Sequence, residues 1–470
     1  MLFNSFTFLI FLAIVLTAIA WARRSGHRAE NWLLVLASCV FYGWWDWRFL
    51  GLLLFTSTVD FLAALQISAS GTQRRKRLFL TCSIGTNLAV LGFFKYCNFF
   101  AGSLAHLLRP LGVAMPDRLL DIVLPVGISF YTFQAMSYTI DVYRGRIPAC
   151  RHPREFLTYI TFFPQLIAGP IERAGEMLPQ YSRDRRVTRV DIAEGFYLVL
   201  WGYAKKTVVA DNLGLKVDRI FSQHSFTTAD VIAGAVGFAF QVYADFSGYT
   251  DIARGVARWL GIRLCLNFDH PYFSANPREF WQRWHISLSN WLRDYLYIPL
   301  GGNRLGERRT YANLMLTMLL GGLWHGAAWN FVLWGGYQGG LLAVHRWYSG
   351  GRKTKRPRTR LVRAGCVAAM FCCTLYGWLL FRSHGAAQLL AVHRALLQWS
   401  GMRGLAGRIV KLLPYIGLVT AVDSVTYATG DSLFFARLAP WATALFYLFL
   451  LYTIIVLGVT GGEQFIYFAF

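Results

Sequence analysis

Charge is scarce in this chain, and acidic charge is scarcer still. Of 470 residues, 15% are Asp, Glu, Lys or Arg, and the 24 Asp and Glu face 47 Lys and Arg. Soluble globular proteins carry roughly a quarter of their residues as charges, so a soluble domain is excluded. Paired thiols are missing as well. The eight cysteines contain no C-x-x-C and lie mostly in or beside apolar runs, so they read as small apolar fillers and not as a redox or zinc site. The ten histidines form neither H-x-x-x-H nor H-E-x-x-H, and no metal is indicated. No internal repeat and no low-complexity linker interrupts the chain, which is read as one integral domain, 1–470.

Apolar length is what the chain has instead. Hydrophobic residues make up 55% and aromatic residues 16%, with a mean hydropathy of +0.39. The apolar residues come in runs of about 15–25, the length that crosses a hydrocarbon core of about 30 Å, separated by basic clusters. The expected class is an all-α, polytopic integral membrane protein. The net charge of +23 could suggest nucleic acid, but the basic residues lie in short loops between apolar runs. The bias of such loops toward the cytoplasm explains them without a polynucleotide; an anionic substrate or cofactor stays compatible.

Along the chain, 6–22 reads as a first span and not a signal peptide, because its arginines follow the apolar run. Spans at 32–45 and 49–67 are separated by Asp46-Trp47-Arg48, 78–94 crosses, 97–118 reads as interfacial and 119–142 returns. The segment FLTYITFFPQLIAGPIERAGEMLPQ carries Pro164, Gly169 and Pro170 inside an apolar run. A lipid-facing helix would not tolerate them, whereas a re-entrant segment packed inside protein would. Residues 192–204 read as too short to cross before Lys205-Lys206, and 229–243 as a span with Asp245 and Asp251 near its boundary. Further on, 364–381 crosses, 386–411 reads as an amphipathic surface segment, 412–428 is a weak span spoiled by Pro414 and Asp423, and 439–459 is a strong one.

The polar stretch from Phe268 to Gly336 holds two histidines with the same left-hand neighbour, Trp284-His285 and Trp324-His325. Basic clusters on both sides place 311–345 as a hairpin that leaves and re-enters on one side, turning at the Gly-rich His325. Thr310 to His325 spans only about 22 Å as a helix, so the imidazole lies at depth. An ionisable group there is a functional-site candidate by default. His285, among Arg283, Arg293 and Asp294, reads either as functional or as an interfacial structural residue. Arg283 and Arg293 read either as contacts for an anionic ligand or as positive-inside anchors. Asp294, Asp245 and Glu172 read as buried structural partners of nearby arginines.

FFPQLIAGPIERA, YADFSGYTDIA, NPREFWQRWHISLSNWLRDYLYIPLGGNR, TMLLGGLWHGAAWNFVLWG and the terminal FIYFAF resemble the membrane-bound O-acyltransferases. The likeness is nearest to the bacterial branch that O-acetylates exported polysaccharides of the alginate type, and it keeps motif order along the whole chain. It implies a helical bundle of about eleven helices with re-entrant segments around a funnel and tunnel. It also implies acyl transfer to a hydroxyl. The family's invariant histidine matches His325 and its second polar position His285. The terminal aromatic motif offers Tyr467 as a candidate acyl relay, with Ala469 where relatives commonly carry Gln.

On that resemblance, acetyl-CoA is the donor substrate, with Arg283 and Arg293 near it, and no cofactor is permanently bound. The partners implied are membrane lipid, an external acetyltransferase and the polysaccharide export machinery, in a bacterial inner membrane. Alternatives are O-acetylation of peptidoglycan or cellulose, D-alanylation of teichoic acid, or, in another class, a transporter or export scaffold.

Overall fold

The computed structural model describes residues 1, 3–112, 116, 120–350 and 359–459. All regular structure among them is helical. Six helical segments are long and apolar enough to cross a membrane: Phe6–Ser25, His27–Ala69, Gln73–Leu111, Thr228–Trp259, Arg360–Arg382 and Pro440–Leu457. A seventh arises if Met402–Val410 and Leu413–Thr429, bent by 63° at their break, form one span. The chain is a multi-pass membrane protein. Its contacts divide into two compact units, Met1–Ile192 with Val256–Cys265, and Ala193–Gly255 with Leu266–Phe470.

In the first unit, the two spans expected on either side of Asp46 form one helix, His27–Ala69, interrupted at that residue (φ −161°, ψ 111°). The break is local chemistry: the Asp46 carboxylate accepts from the Arg48 backbone N–H at 2.9 Å and pairs with its guanidinium at 2.6 Å. The segment read as interfacial behaves differently. Cys97–Leu108 continues Gln73–Leu91 through a π-helical turn at Gly92–Tyr96, and the return helix begins only at Ile128.

The proline-interrupted stretch breaks into short helices, Pro153–Thr161, Phe163–Leu166 and Ala174–Tyr181. They are packed inside protein, with Phe162, Phe163 and Ala168 fully buried. Gln134 and Gln165 each donate to the Tyr159 carbonyl, at 2.7 and 2.6 Å, so polar groups inside the unit serve the irregular backbone.

In the second unit, the helix leading to Lys205-Lys206 does not stop there, and it is not among the candidate spans. Arg189–Tyr203 runs through a π-helical stretch, Ala204–Ala210, into Asp211–Phe221. Both lysines are buried. Lys206 Nζ lies 2.8 Å from both Asp211 and Asp245, while Lys205 pairs with Asp251 and donates to Ser247 Oγ at 3.0 Å. Asp245 and Asp251 do not interrupt their helix: Thr228–Trp259 passes both. Asp245 therefore has a lysine partner where the sequence suggested an arginine. Asp294 pairs with Arg293 at 2.7 Å, a bond exposed on the arginine side instead of buried. Glu172 Oε1 accepts the Cys265 N–H at 2.7 Å in the first unit. The weak span holding Asp423 is made tolerable by the Tyr243 hydroxyl, which donates to that carboxylate at 2.8 Å.

Candidate active site

The site begins with two helices that touch through their backbones. Glu307–His325 and Trp329–Ser349 form the expected hairpin, turning at Gly326. A Cβ at Gly322 would collide with the Phe331 carbonyl oxygen, and one at Gly335 with that of Met318. Only glycine permits this approach, which fixes the turn with no long side chain in between. His325 is the last residue of the first helix and is 4% exposed. Its ring stands edge-on to Trp334 (5.1 Å between centroids, 87°) and to Phe381 (5.6 Å, 75°), with Trp324 at 5.1 Å.

His285 reaches the same place from a different kind of element. It caps the short helix Ile286–Leu292 in the left-handed region (φ 43°, ψ 55°), a conformation that costs a non-glycine residue energy and must be held from outside. The hold is visible. Ile286 N–H donates to the Asn267 carbonyl and Ser289 N–H to the His285 carbonyl, both at 2.9 Å. The ring has no exposed surface and packs against Phe246 (4.7 Å, 88°) and Trp324 (5.9 Å). Beneath it, Trp284 stacks on Phe280 and on Tyr272 and meets Trp378 at 4.9 Å.

Asn267 determines which nitrogen of His285 carries the proton. Its Oδ1 accepts from the Ser287 N–H at 3.2 Å and from the Ser287 hydroxyl at 2.9 Å, so this atom is the amide oxygen. His285 Nδ1, 3.2 Å from the same oxygen, must then donate, and the lone pair resides on Nε2. His285 lies outside the candidate spans. Burial lowers its pKa from 6.5 to about 3, which keeps the imidazole neutral. The two histidine rings lie 6.5 Å apart, inclined at 65°. Two imidazoles walled by aromatic rings can accept a proton from a hydroxyl and return it to a leaving group.

The other expected site residues lie elsewhere. Arg283 is held among Asp269, Glu279 and Tyr427: its guanidinium is 3.4 and 3.3 Å from the carboxylates and 5.4 Å from the ring centroid. Arg293 is largely exposed and bonded to Asp294. Tyr467 lies outside the described residues. Among the described residues no cluster of His, Cys, Asp or Glu could hold a metal ion. Asn267, 18 positions before His285, was not legible as a site residue, because nothing in local spacing reports a contact at that separation. It also lines a polar cavity of about 40 Å³ with His270, Lys205, Asp251 and Asp423, enough for one or two waters. The His270 ring bridges Asp269 Oδ1 at 2.8 Å and Thr426 Oγ1 at 2.7 Å.

Residues 151–381 match the membrane-bound O-acyltransferase family model. The chain is 40% identical over 403 residues to a probable alginate O-acetylase of Pseudomonas putida, covering 85% of this chain and 81% of that one. It is 45% identical over 363 residues to a probable alginate O-acetylase of Azotobacter vinelandii (76% and 71% covered). It is 34% identical over 396 residues to a peptidoglycan O-acetyltransferase of Helicobacter pylori (78% and 74% covered). Both histidines lie inside the matched region. With a buried histidine pair at the tip of a glycine-packed hairpin and relatives aligned over most of its length, the chain belongs to the membrane-bound O-acyltransferase family.

Proposed function

We propose that this chain takes acetyl from cytoplasmic acetyl-CoA and passes it across a bacterial inner membrane for O-acetylation of an exported, alginate-like polysaccharide. The observation that carries the reading is the pair of buried imidazoles 6.5 Å apart in a wall of aromatic rings. His325 is the general base. It takes the acceptor hydroxyl's proton as the oxygen attacks the thioester carbonyl, and it returns that proton to the departing thiolate, so a thioester and an alcohol become an ester and a thiol. His285, fixed as its Nδ1–H tautomer, presents Nε2 as a relay or positioning group. Water exclusion by Trp324, Trp334 and Phe381 protects the thioester from hydrolysis.

The finer architecture, about eleven helices with re-entrant segments around a funnel and tunnel, belongs to this proposal by family analogy. So do Arg283 and Arg293 as contacts for the donor's phosphates, and an external acetyltransferase that completes delivery alongside the export machinery. Tyr467 enters as an acyl carrier: a tyrosine hydroxyl activated by a base divides the transfer into two steps through one constriction.

The test is radiolabelled acetyl-CoA offered to the purified protein with and without the external partner. Label should appear on the terminal peptide in the absence of acceptor and be missing in His325→Ala. Full transfer by Tyr467→Phe removes the carrier step, and full transfer by His325→Ala removes the base. The Helicobacter relative favours peptidoglycan as the alternative acceptor, and presenting both glycans to the same preparation decides between them.

A further inference from the structure

The first unit contains a pocket that the acyl-transfer chemistry does not use. It has a volume of about 440 Å³ and is lined by five arginines, Arg183, Arg185, Arg186, Arg258 and Arg263, against two carboxylates, Asp184 and Asp191. The pairing inside it is uneven. Arg185 is buried and already neutralised by Glu30 at 2.6 Å, and Asp184 is held by the His27 ring at 2.9 Å. Asp191 is shared between Arg258 and Arg263 at 3.7 Å each, too long for hydrogen bonds. Arg183 and Arg186 are exposed and have no carboxylate partner among the described residues. The pocket therefore presents a surplus of guanidinium donors with planar, forked geometry.

The pocket is built and not merely a loose cluster. Gln180 clasps the Arg263 backbone in both directions, Oε1 accepting its N–H at 2.8 Å and Nε2 donating to its carbonyl at 3.1 Å. Gly261, at φ +77°, brings bare backbone to the floor, where a Cβ would lie 3.1 Å from that of Arg185. Two candidate spans end at this place. Thr228–Trp259 stops two residues before Gly261. The basic end of the first span is tied in by Arg23, whose Nη2 donates to the Leu260 carbonyl at 3.3 Å. The indole of Trp21, 72% exposed, is the aromatic expected at headgroup level.

We propose that this pocket binds a phosphate group at the membrane–water boundary, with Arg183, Arg186 and Arg263 supplying the charge-assisted hydrogen bonds. The phosphate can come from two sources with the same chemistry, a soluble phosphorylated nucleotide or the headgroup of an anionic phospholipid, and neither rests on the function proposed above.

The experiment uses the full-length protein with two probes. Adenosine 3′,5′-bisphosphate is titrated in neutral detergent, and phosphatidylglycerol retention is measured by native mass spectrometry from otherwise zwitterionic nanodiscs. R183Q/R186Q should weaken binding of at least one probe about tenfold or more. Loss confined to the nucleotide identifies the soluble source, loss confined to the lipid identifies the headgroup, and loss of both supports the shared chemistry. Wild-type protein that binds neither probe, or a double variant that binds both as well as wild type, overturns the site. R263Q on the opposite rim repeats the test should the double variant be poorly folded. His325→Ala, which abolishes transfer under the function proposed above, leaves this binding intact, so failure of either idea is read separately.

Discussion

Two buried polar clusters lie in the second unit, and they satisfy their burial in opposite ways. Around Lys205 and Lys206 every cation is matched: Asp211 and Asp245 flank one lysine, and Asp251 and Ser247 hold the other, with Arg254 3.2 Å from Asp251. Around His285 and His325 the walls are rings, with Phe246, Trp324, Trp334 and Phe381 in contact and an amide, not a carboxylate, on His285 Nδ1. Charges removed from water need partners, and a cluster whose partners are all present is finished as structure. A neutral imidazole needs no counter-ion and keeps a basic lone pair, which is what proton transfer requires. Under the proposed function, the contrast separates buried ionisable groups that hold helices together from those that serve the substrate.

The comparison breaks most visibly at His325. His325→Ala should lower acetyl transfer by at least about a hundredfold while the melting transition stays close to wild type. A matching loss of folded protein would move His325 into the structural class. Lys206→Met should do the reverse. It strands Asp211 and Asp245 without their shared cation, and thermal or denaturant melts in detergent should show a loss of about 3–5 kcal/mol. Adding Asp211→Asn and Asp245→Asn should recover much of it, and the activity of the surviving folded fraction should stay near wild type. Next comes Gly322→Ala, expected to cost about 1–3 kcal/mol by pushing the hairpin apart, with a fall in the maximal rate that exceeds any change in donor KM.

Asn267→Asp sharpens the comparison by importing the chemistry of one cluster into the other. His285 is neutral down to about pH 3 because burial disfavours its cation. A carboxylate at Nδ1 favours the imidazolium and raises that pKa, so the acid limb of the pH–rate profile should move to higher pH, with activity recovering as pH rises through the new value. An unshifted limb would detach Asn267 from the histidine's protonation. The smallest effect is expected at Arg293. Its ion pair with Asp294 is largely exposed, so Arg293→Gln should leave stability unchanged. A raised donor KM measured on the same preparation would give it a contact role.

Much of the architecture was readable because apolar run length and basic punctuation report it directly. The first span, the break at Asp46, the hairpin turning at His325 and the buried proline-rich segment all follow from local composition. What was hidden shares one cause. The partners of Lys205 and Lys206 could not be read from a charge in an apolar run, and only tertiary structure reveals the opposite charge some 40 residues away. The same blindness to distance hid Asn267. His325 and His285 could be picked out because each follows a tryptophan in an otherwise apolar or basic setting; that they would meet could not be read from either motif.

The contact between Gly322 and the Phe331 carbonyl has a genetic consequence. Most packing defects can be rescued elsewhere, because a neighbouring side chain can shrink, grow or rotate to restore the fit. Here the colliding partner is an oxygen that every amino acid carries, so no substitution at position 331 removes it. A suppressor screen begun from a larger residue at 322 should return true revertants to glycine and few second-site changes. The hairpin's apex is thus a position where the protein has little latitude to drift, and its sequence is held by the main chain opposite instead of by any residue's chemistry.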